Sequence, residues 1–404
     1  MNNISSIKNC FGCGVCAIAC PKKIIDLRLN KKGFYEPFLL DESKCIDCGL
    51  CLSVCSFKHD DTALKNPQLK SYGAWSKDPK VRRKCSSGGV AFEIGKTLLN
   101  EGYKVCGVKY NIDANRAEHY IASNLVELIS SVGSKYLQSY TIPGFLNINK
   151  KEKYLVTGTP CQIDSFRRFI QKFHCEDNFL LLDFFCHGVP SMLLWKIYLE
   201  NCQKKVGKIT YVSWRNKFKY GWHDSWLMGI DGENTSKKLN SPDSYESLIK
   251  ERSTFIQSRK SQGDFFYEAF LNNLCLNKPC YDNCRFKYSR SSADIRVGDA
   301  WGKVYVNDEL GVSSVVAFTA KGDDCLQKTN CTLEQHNFET LCNSQMKENA
   351  ERPMFYDIYN YILLKTSSFC MLMLLNKLTG FWAQSKRRLL NPKQTLIKLY
   401  QKIS

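Results

Sequence analysis

Four cysteines crowd into CFGCGVCAIACP at residues 10–21, and their spacing returns in CIDCGLCLSVCS at residues 45–56. Cys10, Cys13 and Cys16 are separated by two residues each and Cys20 follows after three; Cys45, Cys48, Cys51 and Cys55 repeat the gaps, with Ser56 standing where Pro21 stands in the first copy. Such short gaps force tight turns that aim three sulfurs at one point. Residues 1–60 hold too little apolar material for a core of their own, and segments of this size need a staple. The staple is a metal centre, because a chain with 21 cysteines in a reducing compartment uses them for ligation rather than for disulfides.

The spacing is that of the bacterial ferredoxin run, in which the fourth cysteine of each copy crosses to the other cluster. One 4Fe-4S cluster is therefore expected on Cys10, Cys13, Cys16 and Cys55, and a second on Cys45, Cys48, Cys51 and Cys20. A pair of zinc sites is the competing assignment, since C-x2-C pairs also suit tetrahedral zinc, but zinc sites seldom add a third and a fourth cysteine at these gaps twice over. Loss of iron is expected to unfold the segment. Residues 1–9 lack the apolar core of a secretory signal, and the best apolar run, FCMLMLL at 369–375, is too short to span a bilayer. A cytoplasmic protein is expected.

FKHDDTALKNPQLK (57–70) reads as a linker. SYGAWS (71–76), the turn KCSSGGV (84–90), a helix over 91–102 and the strand KVCGVKY (104–110) form a β–loop–α–β unit. KYLVTGTPC (153–161) and NFLLLDFFCHGVPS (178–191) each lead from a strand into a helix, the second starting near Met192. Residues 205–245 read as β-rich, 244–277 as helical, and ADIRVGDAWG (293–302) as a strand entering a turn. The fold class is α+β or α/β: a ferredoxin-like domain (1–60), a mixed α/β cofactor-binding domain (70–345) and a basic helical tail (346–404). Residues 358–404 contain no Asp or Glu and eight Lys or Arg. That tail is either a helical extension packed on the core or a surface for anionic lipid or an acidic partner. The formal charge of +18 raises nucleic acid as a partner, but no recognisable nucleic-acid motif accompanies it, and none is expected to bind.

Cys161 and Cys186 both fall where a buried-looking strand gives way to a helix, and Cys280 and Cys284 form a close pair. These four could hold a third metal centre, or be ordinary buried thiols. Ser86, Ser87, Gly88 and Gly89 open a helix, and suit either a phosphate or a plain N-cap and turn. The ordered set SSGG (86–89), GSKYLQS (133–139), GTPCQ (158–162), CHGVPS (186–191), Arg215/Lys217/Gly221-Trp222, the close cysteine pair and ADIRVGDAWG resembles the beta-subunit family of coenzyme F-420 hydrogenase and formate dehydrogenase, from about residue 8 to 302. The resemblance implies FAD near Ser86, Ser87, Gly88, Gly89, Lys135 and the turn Thr157, Gly158, Thr159, Pro160. It also implies a further 4Fe-4S cluster on Cys161, Cys186, Cys280 and Cys284. CYDNC departs from the family spacing, with three residues between its cysteines where two are expected. Ferredoxin-fused relatives with a basic tail look similar to proteins of bacterial surface-polysaccharide clusters.

The expected function is thus a flavin-dependent iron–sulfur oxidoreductase. It would take single electrons from a reduced ferredoxin or another acidic electron-transfer protein and pass them in pairs to a small-molecule acceptor. The rival is an electron-transfer subunit with no substrate of its own. Asp294, Asp299 and Trp301 are expected to line the cleft. His187 and Asp299 are the catalytic candidates, with a structural hydrogen bond as the alternative for His187. Peripheral contact with the inner face of a membrane is expected of the tail.

Overall fold

The computed structural model describes residues 2–235, 249 and 252–390. Its centre is an eight-stranded sheet in the order β13-β3-β12-β11-β7-β6-β4-β5. The strands are β3 (Lys70–Ser76), β4 (Lys104–Asn111), β5 (Arg116–Ala122), β6 (Tyr154–Thr157), β7 (Phe179–Phe184), β11 (Ile295–Asp299), β12 (Ser313–Ala317) and β13 (Cys331–His336). β4, β6, β7 and β11 run parallel, while β12 lies antiparallel between β11 and β3. The parallel strands therefore end on one edge, where their connecting loops gather. β7 has five consecutive buried residues, as a strand covered on both faces requires.

Helices Val90–Asn100 and Pro160–Lys172 start just beyond that edge. The first buries Phe92, Ile94 and Leu98 in one apolar cluster with Leu155 and Leu180; the second buries Ile163, Phe166 and Ile170 in another with Val156 and Leu181. Apolar residues on one stripe of each helix are what drive this packing. A further cluster rich in aromatics joins helix Met192–Val206 to a small sheet of β8 (Ile209–Ser213), β9 (Leu227–Gly232) and β10 (Ile256–Arg259), and to the C-terminal helices.

The cysteine-rich segment folds as two short helices, Val15–Ala19 and Leu50–Ser53, with the hairpin β1 (Ile25–Leu29) and β2 (Tyr35–Leu39) between them. Ile4, Ile7, Ile24 and Ile25 close around Cys10, Cys16 and Cys51, so the small core is built on the sulfurs themselves.

Three expectations need correction. Residues 256–259 form a strand, because Ile256–Arg259 pairs with β9 instead of continuing the helix expected over 244–277; residues 244–248 and 250–251 of that stretch lie outside the described residues. The β–loop–α–β unit is real in chain order, but β3 and β4 are not neighbours: four strands stand between them. The segment 57–70 is strapped down: Asp164 accepts from the Ala63 amide at 2.7 Å, Ser292 from the Leu64 amide at 3.2 Å, and Arg168 pairs with Asp61 at 3.0 Å. A buried carboxylate on the adjoining helix supplies the acceptor that a free linker would find in water.

Candidate iron–sulfur and cofactor sites

Glycine makes the first cysteine loop possible. Gly12 has φ +65°, and a Cβ there would lie 2.2 Å from the Tyr35 carbonyl oxygen and 2.3 Å from Gln138 Nε2. The loop therefore presses its backbone on the main domain. Tyr35 N–H donates to Gln138 Oε1 at 2.8 Å, Gln138 Nε2 donates to the Phe11 carbonyl at 3.1 Å, and Asn277 Nδ2 donates to the Cys10 carbonyl at 3.1 Å.

The twelve cysteines singled out by spacing and resemblance gather in three groups of four. Cys20, Cys45, Cys48 and Cys51 line one space. Cys10, Cys13, Cys16 and Cys55 line a second. Cys161, Cys186, Cys280 and Cys284 line a third. Among the described residues no three such side chains close on the position of a single ion; the sulfurs surround a volume instead. Four thiols around a cage of this kind fit an inorganic cubane.

Cys186 reaches its space from the loop after β7, six residues before helix Met192–Val206, not from a helix start as expected. Cys280 sits in a single helical turn, Lys278–Asp282, and Cys284 follows its C-cap Asn283, yet both line the same space.

Burial pushes these thiols up: Cys55 and Cys280 to about 12, and Cys13, Cys16, Cys161 and Cys186 in the same direction, with neighbouring sulfurs adding to the effect in Cys55, Cys16, Cys161 and Cys280. Such thiols stay protonated unless a metal displaces the proton, so loading these sites must release protons.

The three spaces form a series. Cys48 of the first is exposed to solvent. Phe11 lines both the second and the third, and its ring meets Phe57 at 5.3 Å and Phe286 at 5.9 Å, both edge-on. The segment Ser134–Ser139 continues inward. Gln138 and Ser139 line the third space, Tyr136 Oη accepts from Arg215 at 3.3 Å, and Ser134 N–H donates to Ser86 Oγ at 3.0 Å.

Around Ser86–Gly89 the bonds turn inward: Ser87 Oγ donates to the Val312 carbonyl at 2.8 Å and Gly88 N–H to Ser313 Oγ at 3.0 Å. Gly88 has no room for a side chain, since a Cβ would lie 2.2 Å from the Ala74 carbonyl oxygen. Two lysines flank this turn. Lys135 Nζ donates to the carbonyls of Ser130, Ser131 and Val132, and burial lowers its pKa to about 7. Lys217 Nζ donates to the carbonyls of Arg82, Ser87 and Leu310, and burial lowers its pKa to about 8. Arg215, fully buried at its side chain, pairs with Asp299 at 3.0 Å. Basic side chains thus gather beside the N-terminus of an eleven-residue helix, each already donating to carbonyls or to Asp299, so an anionic group such as a diphosphate would have to draw them away from those acceptors.

Other expected residues lie elsewhere. Thr159 and Pro160 line the third cysteine space; Thr159 Oγ1 lies 3.2 Å from Cys161 Sγ, and Thr157 Oγ1 donates to the Cys106 carbonyl at 3.2 Å. Gly158 carries no side chain to contribute: its N–H donates to the Leu182 carbonyl at 3.1 Å. Asp294 is buried at the N-terminal end of β11, with its oxygens taken by Arg167, Thr319 and the Leu181 amide. Asp299 is held by Arg215 and by Trp222 Nε1 at 2.9 Å, with Trp301 stacked on Trp222 at 4.4 Å. His187 packs its ring edge-on against Phe270 at 5.0 Å, and burial depresses its pKa to about 4. Reading the sequence missed Ser165, Gln138, Asn277 and Phe11, which join segments more than a hundred residues apart. Only Ser56, departing from proline in a repeated motif, offered a signal.

The fold and the three cysteine cages define an iron–sulfur protein of the oxidoreductase class. Residues 9–59 match the 4Fe-4S dicluster domain. Residues 71–146 match the coenzyme F420 hydrogenase/dehydrogenase beta-subunit N-terminal description and residues 151–340 its C-terminal counterpart, together more than half of the chain. The chain belongs to the coenzyme F420 hydrogenase/dehydrogenase beta-subunit family. It is similar to a coenzyme F420-dependent sulfite reductase of Methanocaldococcus jannaschii, 27% identical over 368 residues that cover 87% of this chain and 52% of that protein. It thus spans about half the length of that relative. A chain of the F420-reducing [NiFe] hydrogenase complex from Methanosarcina barkeri is similar at 16% identity, covering 76% of this chain and 91% of that one, with a TM-score of 0.43.

Proposed function

We propose that this chain is a three-cluster iron–sulfur flavoprotein that takes electrons at its exposed cysteine cage and delivers them in pairs near the Ser86–Gly89 turn beside Arg215 and Lys217. The observation that carries the reading is the series itself: an exposed cage, a buried cage, a third cage sharing Phe11 with the second, and the Ser134–Ser139 segment leading to the serine–glycine turn. The twelve cysteines would hold the clusters, and Ser86–Gly89, Lys135, Lys217 and Arg215 the FAD diphosphate. Bound there, clusters carry one electron each, whereas a flavin exchanges one or two and so can serve a two-electron acceptor.

The chain's own residues do the rest. Phe11, Phe57 and Phe286 exclude water between the second and third cages. Asp299 holds the Arg215 guanidinium beside the turn, with Trp226 5.0 Å and Trp301 5.6 Å from its carbon. His187 packs against Phe270, and we assign it a structural rather than a proton-donating role. The electron source we propose is a reduced ferredoxin or similar acidic protein docking at the exposed cage. The acceptor we propose is a small molecule, and a role in surface-polysaccharide assembly is supported by the similarity of ferredoxin-fused, basic-tailed relatives to proteins of such clusters. The C-terminal helices are proposed to rest on the inner face of an anionic membrane.

Anaerobic reconstitution followed by counts of iron, sulfide and flavin tests this. About twelve iron atoms and a yellow chromophore released on boiling are expected. Iron without flavin would favour the electron-transfer subunit lacking its own substrate, and zinc without sulfide would end both readings.

A further inference from the structure

We propose that Ser165 sets the reduction potential of one centre alone, the cluster enclosed by Cys10, Cys13, Cys16 and Cys55. The inference rests on the reading that those cysteines hold a cluster, but concerns a residue outside the ligand set. Ser165 is fully buried on helix Pro160–Lys172, the helix that also carries Cys161 of the third cage. Its Oγ lies 3.3 Å from Cys13 Sγ and accepts from the Ser56 amide at 3.0 Å. Ser56 is fully buried too, and its own Oγ donates to the Cys161 carbonyl at 3.2 Å. As a thiol Cys13 donates to the Ser165 oxygen; once a cluster takes the thiol proton, a relay of donors would run from the Ser56 N–H through the Ser165 hydroxyl to the Cys13 sulfur.

With Cys13 ligating as a thiolate the sulfur only accepts, so the single hydroxyl proton of Ser165 must point at it. The Ser56 amide, donating to the same oxygen, polarises that hydroxyl and strengthens the bond. Hydrogen bonds to cluster sulfurs stabilise the more negative, reduced form and raise the potential. This also explains the broken repeat. At the position of Ser56 the first copy carries Pro21, and a proline has no N–H to give. The departure from the motif supplies the donor that the relay starts from.

The test uses the full chain, reconstituted anaerobically, with iron and sulfide counted and each centre's midpoint followed by EPR during a redox titration. Ser165→Ala should move one midpoint to more negative potential and leave the other centres where they are. Ser56→Pro, which keeps the hydroxyl but removes its amide partner, should move the same midpoint in the same direction by less. Ser56→Ala, which retains the amide, should leave it unmoved. Iron-replete Ser165→Ala protein with every midpoint unchanged, or with all centres shifted alike, overturns the inference while leaving the cluster reading intact. Wild-type chain that takes up no iron overturns both.

Discussion

At Arg296 the chain commits a guanidinium to a place without water. Its Nε and Nη2 each donate at 2.7 Å to Asp183, directly opposite on β7, and both side chains are fully buried. Removing one partner strands the other charge, so Arg296→Ala should cost about 3–5 kcal/mol in urea unfolding; a loss under ~1 kcal/mol would mean that the pair is hydrated. His119 gives a pH signature. Its Nε2–H donates to the Thr157 carbonyl at 3.0 Å, its buried Nδ1 has no partner, and burial lowers its pKa to about 4. As pH falls below about 6.5 the unfolded chain binds a proton that the folded chain refuses, so stability declines toward pH 4. His119→Gln should flatten that slope between pH 7 and 5.5; an unaltered slope would assign it to other groups, His187 among them. Cys284→Ser should lose about four of about twelve iron atoms and Cys370→Ser, on an exposed thiol, none. At this scale the eight cysteines of residues 10–55 were legible as a motif, because short-range turns impose their spacing, whereas Cys161, Cys186, Cys280 and Cys284 were grouped through the family resemblance. Ser165, Gln138 and Asn277 were not legible, because their partners are brought in by folding.

Among the elements, the cysteine segment has the least to hold it. Its apolar cluster is four isoleucines and an alanine wrapped on sulfurs, flanked by short helices and one hairpin. Removing iron should therefore abolish hydrogen-exchange protection across residues 2–58 while β6, β7 and β11 keep theirs; retained protection in both would show that contacts with the main domain suffice. The helices over 90–100, 160–172 and 192–206 were readable from apolar pattern and from the ends of the strands that lead into them. β10 was not, since Ile256–Arg259 has no alternating pattern and becomes a strand only because β9 offers an edge.

Across the whole molecule, the C-terminal helices Tyr356–Lys365 and Phe369–Leu390 pack Tyr359, Ile362, Leu372 and Leu375 inward yet leave Tyr361, Leu374 and Phe381 at 61%, 58% and 70% exposure. No helix among the described residues is long and apolar enough to cross a membrane. An apolar stripe on a stretch that from residue 358 onward has basic but no acidic residues suits the surface of an anionic bilayer. The full chain should sediment with phosphatidylglycerol-containing vesicles, less so at high salt, and Leu374→Ser/Phe381→Ser should reduce binding about tenfold or more. Equal sedimentation with neutral vesicles, or a dimer in light scattering that the double substitution dissolves, would assign the stripe elsewhere. By itself the sequence determined the cysteine spacing that suits clusters, the strands and helices with a clear apolar pattern and the basic tail, because ligation, periodicity and charge are properties of neighbouring residues. Only the tertiary structure decided the strand order, the strapping of 57–70, the inward fate of Asp294 and His187, and the alignment of three cages on one path. Those depend on which distant segments share a buried contact, and burial is settled by the packing of the chain as a whole.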